Sequence, residues 1–325
     1  SQHYILQRLN TKIFKNFRGL MDNIQKVTAK LQQIIKNQGG DDERECMTLI
    51  PTKTNLPYYV NGNECWRAYL FVKDTVVYQV IDSSKVFENT GEAFGRFIAR
   101  LDDFDANTLC EVIPNFHNTV DRYSKFLTAL EQNKSKRVSF AQKEIDFVLQ
   151  RGDKVGAIVE ALENKKIPLR VTHNDTKINN VLIDKNTGKA ICVIDLDTIM
   201  PGSLLYDFGD SIRSGCNTAL EDEKNLDLVD FNIELYEAYC AGFLRGIGDK
   251  ITDQEVKMLH LGAIIITLEC GIRFLTDYLD GDVYFKTDYP DHNLVRCRTQ
   301  FKLVEKMEQL SQELLEIAIK CKNKI

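Results

Sequence analysis

No pair of cysteines in this chain is spaced C-x-x-C, although nine are present, at Cys46, Cys65, Cys110, Cys192, Cys216, Cys240, Cys270, Cys297 and Cys321. An odd, scattered set is the pattern of reduced, mostly buried thiols and argues against a disulfide framework or a zinc site. Histidine is scarce too, with five residues and none at metal-ligand spacing. Basic charge is not in excess: 42 Lys and Arg stand against 47 Asp and Glu, a net charge of -5. A polyanion calls for a basic face, so no nucleic-acid partner is expected. The most apolar run, residues 261–268, falls well short of the roughly 18 residues of a membrane span. No signal-peptide pattern is visible. These absences predict a cytoplasmic protein without a membrane partner.

What is present is ordinary globular composition, 43% apolar and 27% charged, which argues against disorder. At 325 residues, one large domain or two coupled ones is the expectation. Residues 4–10, YILQRLN, read as a strand. A helix follows, with Phe17, Leu20, Met21, Ile24, Val27, Leu31, Ile34 and Ile35 on one face, closed by Gly39-Gly40. Short strands are predicted at 47–50, 58–60, 66–72 and 76–80, separated by Pro57, Asn61-Gly62-Asn63 and Lys73-Asp74. Strand, helix and meander make a small α+β lobe over residues 1–74. Residues 75–325 form a second, mainly helical lobe. Its helices are predicted at 93–101, 119–130, 140–150, 227–243, 253–279 (with a break near Gly271) and 294–320.

The central string T-H-N-D-T-K-I-N-N-V-L-I-D, followed by A-I-C-V-I-D-L-D, carries the chemistry. It sets His173-x-Asp175, then Asn180, an apolar strand, a turn, a second apolar strand and Asp195. The turn at Asn186-Thr187-Gly188 predicts a hairpin, which returns Asn180 and Asp195 to one edge. A carboxylate, an amide oxygen and a second carboxylate so arranged suit phosphoryl transfer: a base, and two oxygen donors for a hard cation. Asp175 is then the proton acceptor, and Asn180 and Asp195 hold Mg2+, with Asp197 as a further candidate ligand. His173 braces the loop by hydrogen-bonding backbone near Asp195. Lys177 can reach a transferring phosphate.

The motifs V-T-H-N-D-T-K-I-N-N-V-L and C-V-I-D-L-D-T-I-M-P-G resemble those of the aminoglycoside-phosphotransferase and choline-kinase-like superfamily. With Y-D-F-G-D-S-I-R-S-G and G-I-R-F-L-T-D-Y-L-D-G-D-V-Y-F-K, the chain is similar to the N-acetylhexosamine 1-kinases over essentially its whole length. The resemblance implies an α+β, two-lobed, protein-kinase-like fold with a small antiparallel-sheet N-lobe and a large helical C-lobe. It further implies transfer of the ATP γ-phosphate, with Mg2+, to the anomeric hydroxyl of N-acetylglucosamine or N-acetylgalactosamine. Asp175, Arg273 and Tyr284 become sugar-contacting residues, with Asp277 beside them. The alternative for Arg273 is a plain ion pair with Asp277 one turn along its helix. Asp207, Asp210 and Arg213 are expected to form a structural ion network below the cleft.

Against the kinase-like pattern, no two strands and phosphate-covering loop precede residues 4–9, and no G-x-x-x-x-G-K-[ST] replaces them. The expectation is that an N-terminal segment is missing from the chain. No phosphate-binding lysine is in place either. Arg8 is the cationic substitute, with Gln7 as its rival if the strand register shifts by one, and Asp22 is the carboxylate to hold it. The adenine meets backbone at the lobe junction, near Phe71 and Val72. The partners are ATP and a small sugar, and a monomer or weak homodimer is expected. Two other readings stay open. One is a kinase of the same superfamily acting on an amino alcohol, a thiosugar or an aminoglycoside. The other is a non-catalytic kinase-like binding module.

Overall fold

The computed structural model describes residues 2–81 and 83–325. The chain opens with β1 (Tyr4–Arg8), the long helix α1 (Phe17–Asn37) and the single turn α2 (Asp42–Glu45). Two strands follow, β2 (Tyr59–Asn61) and β3 (Glu64–Leu70). They build an antiparallel sheet in the order β1-β3-β2. The side chain of Asn16 caps α1 by accepting from Gly19 N, and Leu20, Ile24, Val27 and Leu31 bury its apolar stripe. The strand expected at 47–50 is reduced to one bridge, Leu49 to Tyr69.

The larger part starts with β4 (Thr75–Val76), α3 (Ser84–Arg100), α4 (Thr119–Gln132), α5 (Gln142–Leu149) and α6 (Ala157–Glu163). Then come β5 (Arg170–Thr172), β6 (Val181–Asp184), β7 (Ala190–Val193) and β8 (Met200–Gly202). The strands form two small sheets, β4-β6-β7 and β5-β8. Helices α7 (Leu204–Gly215), α8 (Ile233–Ile247), α9 (Asp253–Asp280), α10 (His292–Gln309) and α11 (Ser311–Lys322) complete the chain. The result is a mixed α+β fold, with an antiparallel sheet at the N-terminal end and a helical body.

Helices α3 and α8 cross with their backbones nearly touching. A Cβ on Gly242 would lie 1.9 Å from the carbonyl oxygen of Glu88, and one on Gly95 2.2 Å from that of Phe243. Helix α9 runs unbroken through the position where Gly271 suggested a break. That glycine serves packing instead, since a Cβ there would meet the Phe301 ring at 2.4 Å. An 18-residue window of α9 has mean hydropathy 1.6, long and apolar enough to span a bilayer by composition, but 72% of it is buried. Helices α4, α7, α10 and α11 cover it, as befits a core helix. The single helix expected over 294–320 is two, divided at Leu310.

Candidate active site

The loop after β5 carries His173, Asn174 and Asp175. His173 is fully buried. Its Nε2 lies 2.8 Å from the carbonyl oxygen of Ile194, and its Nδ1 accepts from the Asp175 backbone at 3.3 Å. Phe94 and Phe97 stand edge-on to the ring and fix its plane. One imidazole therefore ties the Asp175 segment to the strand end that delivers Asp195.

Asn180 closes a 3-10 turn just ahead of β6, rather than opening the strand as expected. Its amide nitrogen donates to the Asp175 carbonyl at 2.8 Å and to Asp175 Oδ2 at 3.2 Å. Its backbone carbonyl accepts from Ile194 N at 2.9 Å. Asp175, Asn180 and Asp195 are thus brought together by the hairpin. The amide oxygen of Asn180 accepts no hydrogen bond among the described residues, which leaves it free for a cation. Lys177 holds Asp175 Oδ1 at 2.8 Å. Burial works against the Lys177 charge, but the carboxylate beside it outweighs that and raises its pKa.

Asp195 adopts a left-handed backbone, φ 60°, which ends β7 and turns its side chain into the site. Partial burial, then repulsion from Asp197, push its carboxyl above the usual range. One amide oxygen and one carboxylate suit Mg2+, which is held mainly through phosphates and water. No group of three His, Cys, Asp or Glu side chains forms a denser metal cage among the described residues. Asp197, the further candidate ligand, is otherwise engaged: Arg67 Nη1 lies 2.5 Å from its Oδ1.

The acidic residues of α7 hold the loop's backbone. Asp207 accepts from His173 N at 2.8 Å and from Asn174 N at 2.7 Å. Asp210 accepts from Thr176 N at 3.2 Å and pairs with Arg213 at 2.9 Å. Burial pushes Asp207 up to about 6, against the lowering effects of His173 and the two backbone bonds. A carboxyl raised in the folded state makes stability fall as pH climbs from the unfolded pKa, near 4, through about 6. Asp207→Asn removes that component. Between pH 7 and pH 5, wild type should therefore gain about 1 kcal/mol on the variant. Paired denaturant titrations check this, and a pH-independent difference contradicts it.

The small-lobe cation was expected at Arg8. Arg8 is exposed and pairs with Glu64 at 2.6 Å. Asp22 does not reach it, being paired with Lys26 one turn along α1. Gln7, the rival, sits opposite Arg67 in the register of β1 and β3 and, though exposed itself, accepts hydrogen bonds from that guanidinium. The buried cation is Arg67, at 3% exposure. Its signal in the sequence is an arginine amid Trp66, Tyr69 and Leu70 in a strand, where an unpaired charge is rarely buried. At the lobe junction Phe71 is exposed and Val72 buried. Phe71 N donates to the His3 carbonyl, and Thr75 Oγ1 to that of Val72.

Arg273, Tyr284 and Asp277 meet in a pocket of about 270 Å³ that Arg122, Lys125 and Phe285 also line. The Arg273 guanidinium lies 5.4 Å from the Phe285 ring centre and 6.0 Å from that of Phe116. No acceptor engages it among the described residues, so the ion pair with Asp277 is not made. Asp277 is buried and saturated: its two oxygens accept from Val283, Tyr284 and Phe285 backbone and from Asn293 Nδ2. It shapes the loop that presents Tyr284, itself 69% exposed. One turn before Arg273, buried Glu269 holds His117 Nδ1 at 3.0 Å, and His117 Nε2 lies 3.4 Å from the Asn174 carbonyl. Glu269 and His117, unassigned from sequence, join this pocket's helix to the loop of Asp175.

A two-lobed, kinase-like phosphotransferase is the class that this fold and site define. The chain belongs to the phosphotransferase enzyme family, APH, whose model matches residues 51–248. Solved structures share the fold. An amicoumacin kinase in complex with AMP-PNP, Ca2+ and Ami has a TM-score of 0.59 and 14% identity, covering 95% of this chain and 86% of that one. An aminoglycoside phosphotransferase from Alicyclobacillus acidocaldarius has a TM-score of 0.57 and 14% identity, with 96% and 87% covered. A microcompartment-associated aminopropanol kinase has a TM-score of 0.56 and 12% identity, with 97% and 87% covered.

Proposed function

We propose that this phosphotransferase is an N-acetylhexosamine 1-kinase, transferring the γ-phosphate of ATP to the anomeric hydroxyl of N-acetylglucosamine or N-acetylgalactosamine. The observation that carries the reading is Arg273, set against two aromatic rings with no acceptor of its own. Its free N–H groups suit sugar and acetamido oxygens, and Tyr284 adds a ring face and a hydroxyl. The pocket is also the wrong sign for an amine. Asp277 is consumed by backbone amides and Asp280 faces Lys134 at 3.7 Å, which leaves a cationic acceptor no unpaired carboxylate there. The names of the aminopropanol kinase and the aminoglycoside phosphotransferase point to amine-bearing acceptors, which this pocket disfavours.

In the proposed reaction Asp175 orients the anomeric O–H and takes its proton while the sugar oxygen bonds the γ-phosphorus. The bond from that phosphorus to the bridging β,γ-oxygen breaks, and ADP leaves with the electron pair. Asn180 and Asp195 would hold Mg2+, which neutralises charge on the phosphates when bound. Lys177, already on Asp175, keeps a positive charge next to the transferring group.

An acceptor panel tests the assignment by kcat/KM. Neutral N-acetylhexosamines should exceed choline, ethanolamine and aminoglycosides, and Arg273→Met should lower the sugar kcat/KM by about 10- to 100-fold, mostly through KM. An amine acceptor used more efficiently than any N-acetylhexosamine overturns the reading.

A further inference from the structure

Arg67 is the least expected charge in the molecule. It lies in the middle of β3, on the face that also buries Cys65 and Tyr69, with 1% of its side chain exposed. A guanidinium so deep is tolerated only when its donors are matched. Two hydrogen bonds and one ion pair meet them. Nε and Nη2 both donate to Gln7 Oε1, at 3.0 and 2.8 Å, from the neighbouring strand. Nη1 faces Asp197 Oδ1 at 2.5 Å, an ion pair without hydrogen-bond alignment. Below, Nη1 lies 3.9 Å from Met21 Sδ on α1, and the guanidinium carbon stands 5.1 Å from the centre of the Tyr69 ring.

The pair therefore joins the sheet of the small lobe to the loop that carries Asp195. We infer that Arg67 is a positioning residue, which withholds Asp197 from the metal and leaves Asp195 and Asn180 as the cation's only protein ligands. The inference rests on the proposed phosphotransfer site, but not on the identity of the acceptor. An arginine held on one side by Gln7 and on the other by a carboxylate has a fixed fork, whereas lysine is a single flexible point charge. The bidentate grip on Gln7 keeps Nη1 beside Asp197. Withholding one of two neighbouring carboxylates also keeps the site's charge low enough to admit a nucleotide's phosphates. The two lobes are held in register by the same contact, beside a second one in which buried Asn23 of α1 donates to the Cys110 and Ile199 carbonyls.

Binding of Mn2+ in the presence of AMP-PNP, followed by electron paramagnetic resonance, tests this without any acceptor or turnover. Arg67→Met releases Asp197, so Mn2+ should bind at least ~10-fold more tightly, or with one more ion per protein. In assays with ATP the same variant should lose kcat with a smaller change in KM for acceptor. Arg67→Lys, which cannot bridge both partners, should fall between the two. Adding Asp197→Asn to Arg67→Met should return Mn2+ binding to the wild-type level. Should Arg67→Met fail to fold, Asp197→Asn alone decides the matter. Unchanged Mn2+ affinity in that variant supports the inference, and a loss of ~10-fold or more makes Asp197 a ligand and overturns it. Mn2+ binding unaltered by Arg67→Met overturns it as well. A protein that phosphorylates no N-acetylhexosamine but shows these Mn2+ shifts would defeat the sugar assignment and leave the role of Arg67 standing.

Discussion

Asp175→Asn should cut kcat by at least ~10² while the affinity for an ATP analogue changes less than about threefold. The substitution keeps shape and volume, and an amide can still meet Asn180, which touches both the backbone and side chain of Asp175. What it cannot do is accept the proton of the acceptor hydroxyl as the phosphorus–oxygen bond forms. In the proposed reaction, nucleotide binding draws on the lobe junction and the metal-bearing loop, whose shape the substitution preserves. Steady-state kinetics and calorimetric titration with AMP-PNP separate the two quantities. Turnover within about threefold of wild type removes Asp175 from the role of base.

Glu255→Ala should destabilise the protein by about 3–5 kcal/mol, the cost of breaking a buried ion pair. Glu255 is fully buried at the start of α9, and Arg170, at 7% exposure, opens β5. Their contact is bidentate, at 2.7 and 2.9 Å. The remaining donors of Arg170 go to Asp102 Oδ1 and the Lys250 carbonyl, both at 2.7 Å. Glu255 also completes a capping box with Thr252, so the truncation strips the helix N-terminus as well. Because β5 leads directly into His173, the loss should reach the site as a raised KM for both substrates. Urea denaturation measures the stability change. A difference below ~1 kcal/mol contradicts the account, and replacing both partners by apolar residues should recover most of the loss.

The central hairpin was legible because its signals are local. An apolar run, a turn with glycine and a second apolar run place Asn180 beside Ile194, whatever the rest of the chain does. Which face of a short strand turns inward is not local. Arg8 and Gln7 differ by one position, and only the cross-strand pairing sets Gln7 against Arg67 and Arg8 beside Glu64, with both left exposed. The alternative of an Arg273–Asp277 ion pair fits their spacing, but the loop after α9 folds back to claim Asp277. Gly271 read as a helix breaker because its close neighbour, Phe301, lies on a different helix. Glu269 and His117 are 152 positions apart, and no pattern along the chain connects them.

Phosphorus-31 NMR of the protein's product with ATP, Mg2+ and N-acetylglucosamine tests the central claim most directly. The account predicts a new monophosphate resonance coupled to the anomeric proton, which disappears in the Asp175→Asn variant over the same interval. A phosphate coupled to the C6 protons, or the same product formed undiminished by that variant, contradicts it.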